Sequence, residues 1–207
     1  MGSKTLEKQW QALWESLGQS GSGLQVFSEL KQAYETPPRP YHNFTHIAHC
    51  LDEFQTVRRL AANPQALQWA LWFHDAIYDS KAKDNEQLSA ELATHAAFDA
   101  GLPSAFTELV ARLILATKHT TSPEPGDETL ITDIDLAILG QPPNRFDEYE
   151  HQIREKYDWV DNAAFAHGRS AVLGSFLARP TIYQTQWFSQ KYEQQARRNL
   201  TRALEKL

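Results

Sequence analysis

Leu71-Trp72-Phe73-His74-Asp75-Ala76-Ile77-Tyr78-Asp79 is an apolar run interrupted by a His-Asp pair and closed by a second aspartate. Leu67, Ala70, Leu71, His74, Ile77 and Tyr78 recur at helical spacing. This predicts a helix from Asn63-Pro64 to about Tyr78 with His74 on its core-facing stripe. On that helix Asp75 and Asp79, four residues apart, share one flank. Burying an imidazole and a carboxylate among apolar neighbours costs several kcal/mol unless they are paired or hold a metal. A divalent metal compensates both at once.

The flanking chain reads as helix nearly throughout. Leu6, Trp10, Leu13, Trp14 and Leu17 form one amphipathic stripe. Leu24, Phe27, Leu30, Ala33 and Tyr34 form another, which Ser22 can cap and Pro37-Pro38 must end. A third helix, capped by Asn43 or Thr45, is expected to run to about Ala62, with His46 in its first turn and Cys50 on its apolar face. Asp84 can open the next helix and Gly101 stop it. Pro103 opens another that ends near Lys118-His119. Leu130–Leu139 is short enough to be a buried strand. Helix is preferred because Ile131, Ile134, Asp135 and Ile138 then share a face. Three more helices are expected over 146–160, 162–178 and 186–206. The fold class is therefore all-α, in a single domain, with a motif-bearing core over about 39–140 and a helical extension over about 144–207.

The totals fit this reading. A chain of 207 residues that is 42% hydrophobic can fill a sizeable core. A net charge of −6 argues against a general nucleic-acid or membrane-surface binder. Cys50 is the sole cysteine, so no intrachain disulfide forms. It reads as a buried small residue rather than a reactive thiol. Met1-Gly2-Ser3-Lys4-Thr5-Leu6 lacks the apolar core of a signal peptide, and a cytoplasmic location is expected. Arg197, Arg198 and Arg202 read as a solvated helix end. Trp10, Trp14 and Trp187 are candidates for core or for an interface between copies, which leaves a homo-oligomer open.

His46, the His74-Asp75 pair and an aspartate on a later apolar helix offer two imidazoles and two carboxylates. That set suits a divalent ion with coordination positions left for water and substrate, and so Lewis-acid hydrolysis. Its distribution resembles the HD superfamily of metal-dependent phosphohydrolases, whose signature is His, a His-Asp dipeptide, and a distant Asp. The chain is similar to a bacterial subgroup of predicted HD phosphohydrolases through Tyr41-His42-Asn43-Phe44-Thr45-His46-Ile47 and Trp72 to Asp79. It is similar also through Asp84-Asn85-Glu86 with Ser89-Ala90, Ala116-Thr117-Lys118-His119 and Asp133-Ile134-Asp135-Leu136. Ile153-Arg154, Tyr157, Gly168-Arg169, Leu177-Ala178-Arg179 and Ile182-Tyr183 extend the likeness to about Leu200.

The resemblance implies an all-helical bundle holding one or two divalent ions (Mn, Fe, Co, Ni, Zn or Mg) on His46, His74, Asp75 and Asp135, with Asp133 the alternative last ligand. It implies hydrolysis, through metal-activated water, of a phosphorylated small molecule, a nucleotide or nucleoside phosphate. Asp79 would orient the water as general base. Lys118, Arg169 and His119 would stabilise charge on the phosphoryl group, and His42 would orient a ligand or touch substrate. Arg154 is a lesser phosphate candidate, read first as a structural partner. His49, His95, His151 and His167 read as solvent-facing or satisfied in the core. Two other outcomes stay open for such a chain: a non-catalytic sensor binding metal and nucleotide, and a di-iron oxygenase recruiting His119 and His42.

Overall fold

The computed structural model describes residues 3–207, with side chains from residue 5. The terminal-signal reading of residues 1 and 2 lies outside these. Among the described residues there are ten α-helices and no strand, so the chain is all-α. No helix among them is long and apolar enough to cross a membrane. The chain divides into two compact units, Met1–Thr132 and Asp133–Leu207.

The first unit carries α1 (Ser3–Ser16), α2 (Leu24–Glu35), α3 (Phe44–Val57), α4 (Pro64–Phe73), α5 (Asn85–Asp99) and α6 (Ser104–Ala116). The next helix, α7 (Asp127–Asp135), begins in the first unit and ends in the second. Its centre is α4, on which α1, α3, α5 and α6 all pack. Every residue of α4 from Ala66 to Phe73 is buried, as expected for a helix apolar on all sides. Trp10, Trp14, Trp69, Trp72 and Phe73 form one aromatic cluster around it, so Trp10 and Trp14 are core residues.

Three helix ends differ from the sequence expectation, each for a local reason. Gly23, not Ser22, caps α2, in the left-handed region at φ 61°. Its carbonyl accepts the Trp10 indole N–H at 2.8 Å, and a Cβ there would lie 2.5 Å from the Trp14 ring. The third helix stops at Val57 and gives way to a 3₁₀ turn, Arg58–Leu60. The N–H groups of Ala62 and Asn63 are instead taken by Asp127, both at 2.8 Å. The central helix ends at Phe73, not near Tyr78, leaving His74 as its cap and Asp75 in the following turn.

That last stop has identifiable causes. The Arg39 guanidinium takes the carbonyls of Asp75 (2.7 Å) and Ala76 (3.0 Å), along with those of Ala33 and His42. Ile77 N–H donates to Ser89 Oγ, and Asp79 N–H to Asn85 Oδ1. The backbone groups that would extend α4 are thus bound by side chains.

In the second unit a 3₁₀ turn, Leu136–Gly140, precedes α8 (Pro143–Lys156), α9 (Asn162–Leu177) and α10 (Gln186–Leu204). The last helix packs on that turn, on α8 and on α9. Gly140 is required there: a Cβ would sit 2.4 Å from Tyr192 Cβ. Of the arginines of α10, Arg198 is exposed as read, but Arg197 and Arg202 are held by partners. Arg197 pairs with Glu193 and donates to the carbonyls of Leu177, Arg179 and Pro180, and Arg202 pairs with Asp147. Trp187 is 38% exposed.

Each unit buries one tyrosine hydroxyl on a carbonyl: Tyr34 on Trp72 (2.9 Å) and Tyr183 on Leu136 (3.0 Å). Burial is the main cause that pushes both well above the ordinary value of 10.0, with nearby carboxylates adding to it. A raised folded pKa means the fold keeps a proton that the unfolded chain releases. This stability is whole below the ordinary value and is lost as pH rises toward the folded one, at about 1.4 kcal/mol per group per pH unit. Loss of helical circular dichroism and appearance of tyrosinate absorbance are expected together above pH 10.0. Ionisation of Tyr34 and Tyr183 with helices intact contradicts this.

Candidate metal centre

Asn43 starts the site. Its side-chain oxygen accepts the N–H groups of Thr45 and His46, capping α3 and setting His46 in the first turn. His74 arrives at the end of α4, and the turn held by Arg39 brings Asp75 back toward it. His46 and His74 are 2% and 1% exposed. Their Nε2 atoms lie 3.1 Å apart, and each is 3.3 Å from Asp75 Oδ2. Three ligand-type atoms therefore form a nearly equilateral triangle. Ligands sharing one ion at about 2.1 Å stand about 3.0–3.4 Å apart, depending on the coordination angle.

Hydrogen bonding decides what these atoms present. His74 Nδ1 lies 3.0 Å from the Leu71 carbonyl, which can only accept, so Nδ1 carries the proton and Nε2 presents a lone pair. Tyr41 hydroxyl lies 3.0 Å from His46 Nδ1 and can play the same part for His46. Asp75 Oδ2 is buried and accepts no hydrogen bond. Burial alone would raise the Asp75 carboxyl, but His42, His74 and His46 outweigh it and hold it well below the usual carboxylate range. A carboxylate oxygen and an imidazole lone pair facing one another in a buried space need a cation between them. One proton bridges a single pair; a divalent ion serves all three atoms.

Cys50 joins them. It lies one turn after His46 on α3, fully buried against the His46 ring, with Sγ 3.6 Å from Nε2 and 3.8 Å from Nδ1. The ligand atoms of His46, Cys50 and His74 all lie within 4.8 Å of one another. His46, Cys50 and His74 are thus buried residues of a group that could hold a metal ion, and Asp75 Oδ2 stands 3.3 Å from both histidines. Sequence reasoning placed Cys50 on the apolar face but missed it at the site. The available signal was its i, i+4 spacing from His46. Tyr41 and Arg39 were also missed as supports, although both fall within or beside the Tyr-His-Asn string.

The remaining candidates are placed as follows. His42 sits in the left-handed region at φ 53°, stacked on Tyr78 at 4.5 Å, with Nε2 4.0 Å from Asp75 Oδ2. Asp79 is exposed, and its Oδ1 accepts the Lys81 N–H at 2.8 Å. Because the helix has ended, it shares no helical flank with Asp75. Lys118 is exposed and donates to the Lys83 carbonyl at 3.0 Å. His119 follows α6 in the left-handed region at φ 57° and is half-buried.

In the second unit Asp133 is committed to structure. Its oxygens accept Gln184 N–H, Thr185 N–H and Thr185 Oγ1 at 2.6–2.8 Å. Asp135 ends α7, half-buried. Arg169 pairs with Glu150 and lies over the Tyr149 ring, while Arg154 binds the carbonyls of Tyr157 and Val160. His95, His151 and His167 are exposed, and His49 lies 3.8 Å from Glu53.

No protein-family model, curated protein or solved structure matches the chain.

Proposed function

We propose that the chain is a metal-dependent phosphohydrolase of the HD type, acting on a phosphorylated small molecule, a nucleotide or nucleoside phosphate. The observation that carries the reading is the buried triangle of His46 Nε2, His74 Nε2 and Asp75 Oδ2, with an unbonded carboxylate oxygen at one corner. Asp135 is the proposed further ligand. The alternative, Asp133, has its oxygens engaged by Gln184 and Thr185. A divalent ion bound here supplies Lewis-acid polarisation of a phosphoryl oxygen and acidifies water.

This chain's own residues supply the rest. Tyr41 and the Leu71 carbonyl hold the two imidazoles in the tautomer that offers Nε2. His42, stacked on Tyr78, is the proposed group that accepts or holds a proton at Nε2 beside the centre. Lys118 and His119, on the turn after α6, are the proposed phosphate contacts. The Arg169 guanidinium is engaged with Glu150, which leaves it a structural part in this scheme.

The test is phosphate release from a panel of nucleoside mono-, di- and triphosphates and sugar phosphates, with Mn, Co, Ni, Zn or Mg added after removal of metal by chelation. Metal-dependent turnover of at least one nucleotide is expected. Tight metal binding with no release from any compound overturns the hydrolase reading and leaves a binding module.

A further inference from the structure

We infer that Cys50 is a sulfur ligand of this centre, and that it biases the centre toward zinc, cobalt(II) or iron(II) and against magnesium. The inference rests on the reading that His46, His74 and Asp75 hold the ion, and it adds which ions they hold.

Three observations carry it. Cys50 is placed by the same helix as His46, four residues on, so the two side chains stand one above the other on a rigid element. Its Sγ is fully buried against the His46 ring, 3.6 Å from Nε2 and 3.8 Å from Nδ1, and within 4.8 Å of a ligand atom of His74. One side-chain torsion separates that sulfur from the helix, and a turn about it is what carries Sγ from the ring toward an ion on Nε2. Independently, the buried Asp75 Oδ2 that accepts no hydrogen bond, 3.3 Å from both ring nitrogens, calls for a cation at this point. Thiolate is a soft ligand that favours zinc and its neighbours. Magnesium prefers an all-oxygen shell and keeps its waters. On binding, the S–H bond breaks, a sulfur–metal bond forms and the proton leaves to solvent, with no change of oxidation state. The competing reading is a thiol that merely fills space beside His46, for which loss of the sulfur would not alter the metal spectrum.

The full-length protein, stripped of metal, is titrated with cobalt(II). The wild type is expected to develop a sulfur-to-cobalt charge-transfer band in the near ultraviolet together with visible d–d bands. Cys50→Ala and Cys50→Ser are expected to bind cobalt without that band. Zinc affinity in both is expected to fall about 10- to 100-fold with magnesium affinity unchanged, since even outer supports of such sites are worth that much. Visible bands without charge transfer in the wild type overturn the role of Cys50 while leaving the His46–His74–Asp75 centre standing. Absence of cobalt binding by the wild type overturns both. The wild-type spectrum decides even where a variant fails to fold.

Discussion

Asp75→Asn is expected to lower affinity for zinc or manganese by more than about 100-fold and to bring phosphate release to background. Outer supports of such sites are worth about 10- to 100-fold in affinity, and Asp75 is a ligand itself. The same change should also cost the metal-free protein some stability, because the three histidines that hold the Asp75 carboxyl below its usual range favour its ionised form in the fold. Metal should widen the gap between the two proteins. At a concentration about 100 times its dissociation constant, a ligand bound only by the folded state stabilises it by about 2.7 kcal/mol. The wild type should show that rise in thermal midpoint and Asp75→Asn should not. Isothermal titration and thermal melts with and without metal measure both effects. Wild-type affinity in the variant would remove Asp75 from the centre and sink the proposed function with it.

Trp69→Ala is expected to destabilise the first unit by about 4 kcal/mol, the cost of deleting a fully buried large aromatic. Trp69 is wholly buried and stacks on Phe73 at 5.3 Å, with Trp10 at 5.2 Å and Phe106 at 6.0 Å. Its indole N–H donates to the Ala93 carbonyl at 3.2 Å. The alanine would leave a cavity on α4 five residues before His74 and remove a buried hydrogen bond to α5. Metal affinity should fall as well, because α4 sets the position of His74. Urea unfolding, with the 38%-exposed Trp187→Ala as a comparison expected to lose under about 1 kcal/mol, measures the difference. A loss for Trp69→Ala as small as that for Trp187→Ala would mean the aromatic cluster does not hold α4 in place.

The wholly helical character, the stripes of α1 to α3, the burial of His74 and Cys50 and the place of His46 in the first turn of α3 were legible in the sequence, because apolar residues at helical spacing must find a common interior. So was the choice of helix over strand for α7. The end of α4 was not. Periodicity carries on through Ile77 and Tyr78, and nothing within that stretch announces that Arg39, Ser89 and Asn85 will take its backbone groups. The supposed partnership of Asp75 with Asp79 failed for that reason. Likewise Arg197 reads as a surface charge until the carbonyls of Leu177, Arg179 and Pro180 are brought beneath it.

By itself the sequence determined which residues could be ligands and that an imidazole and a neighbouring carboxylate would have to be buried, since side-chain type and helical period are local properties. Only the tertiary structure decided how these atoms meet. The turn at Asp75 is set by a guanidinium from 36 residues earlier in the chain. The His74 tautomer is set by the Leu71 carbonyl, and Cys50 reaches the centre because α3 lays that face against α4. Directional hydrogen bonds between distant segments leave no period in a sequence, and in this chain they are what convert a buried His-Asp pair into a three-cornered site.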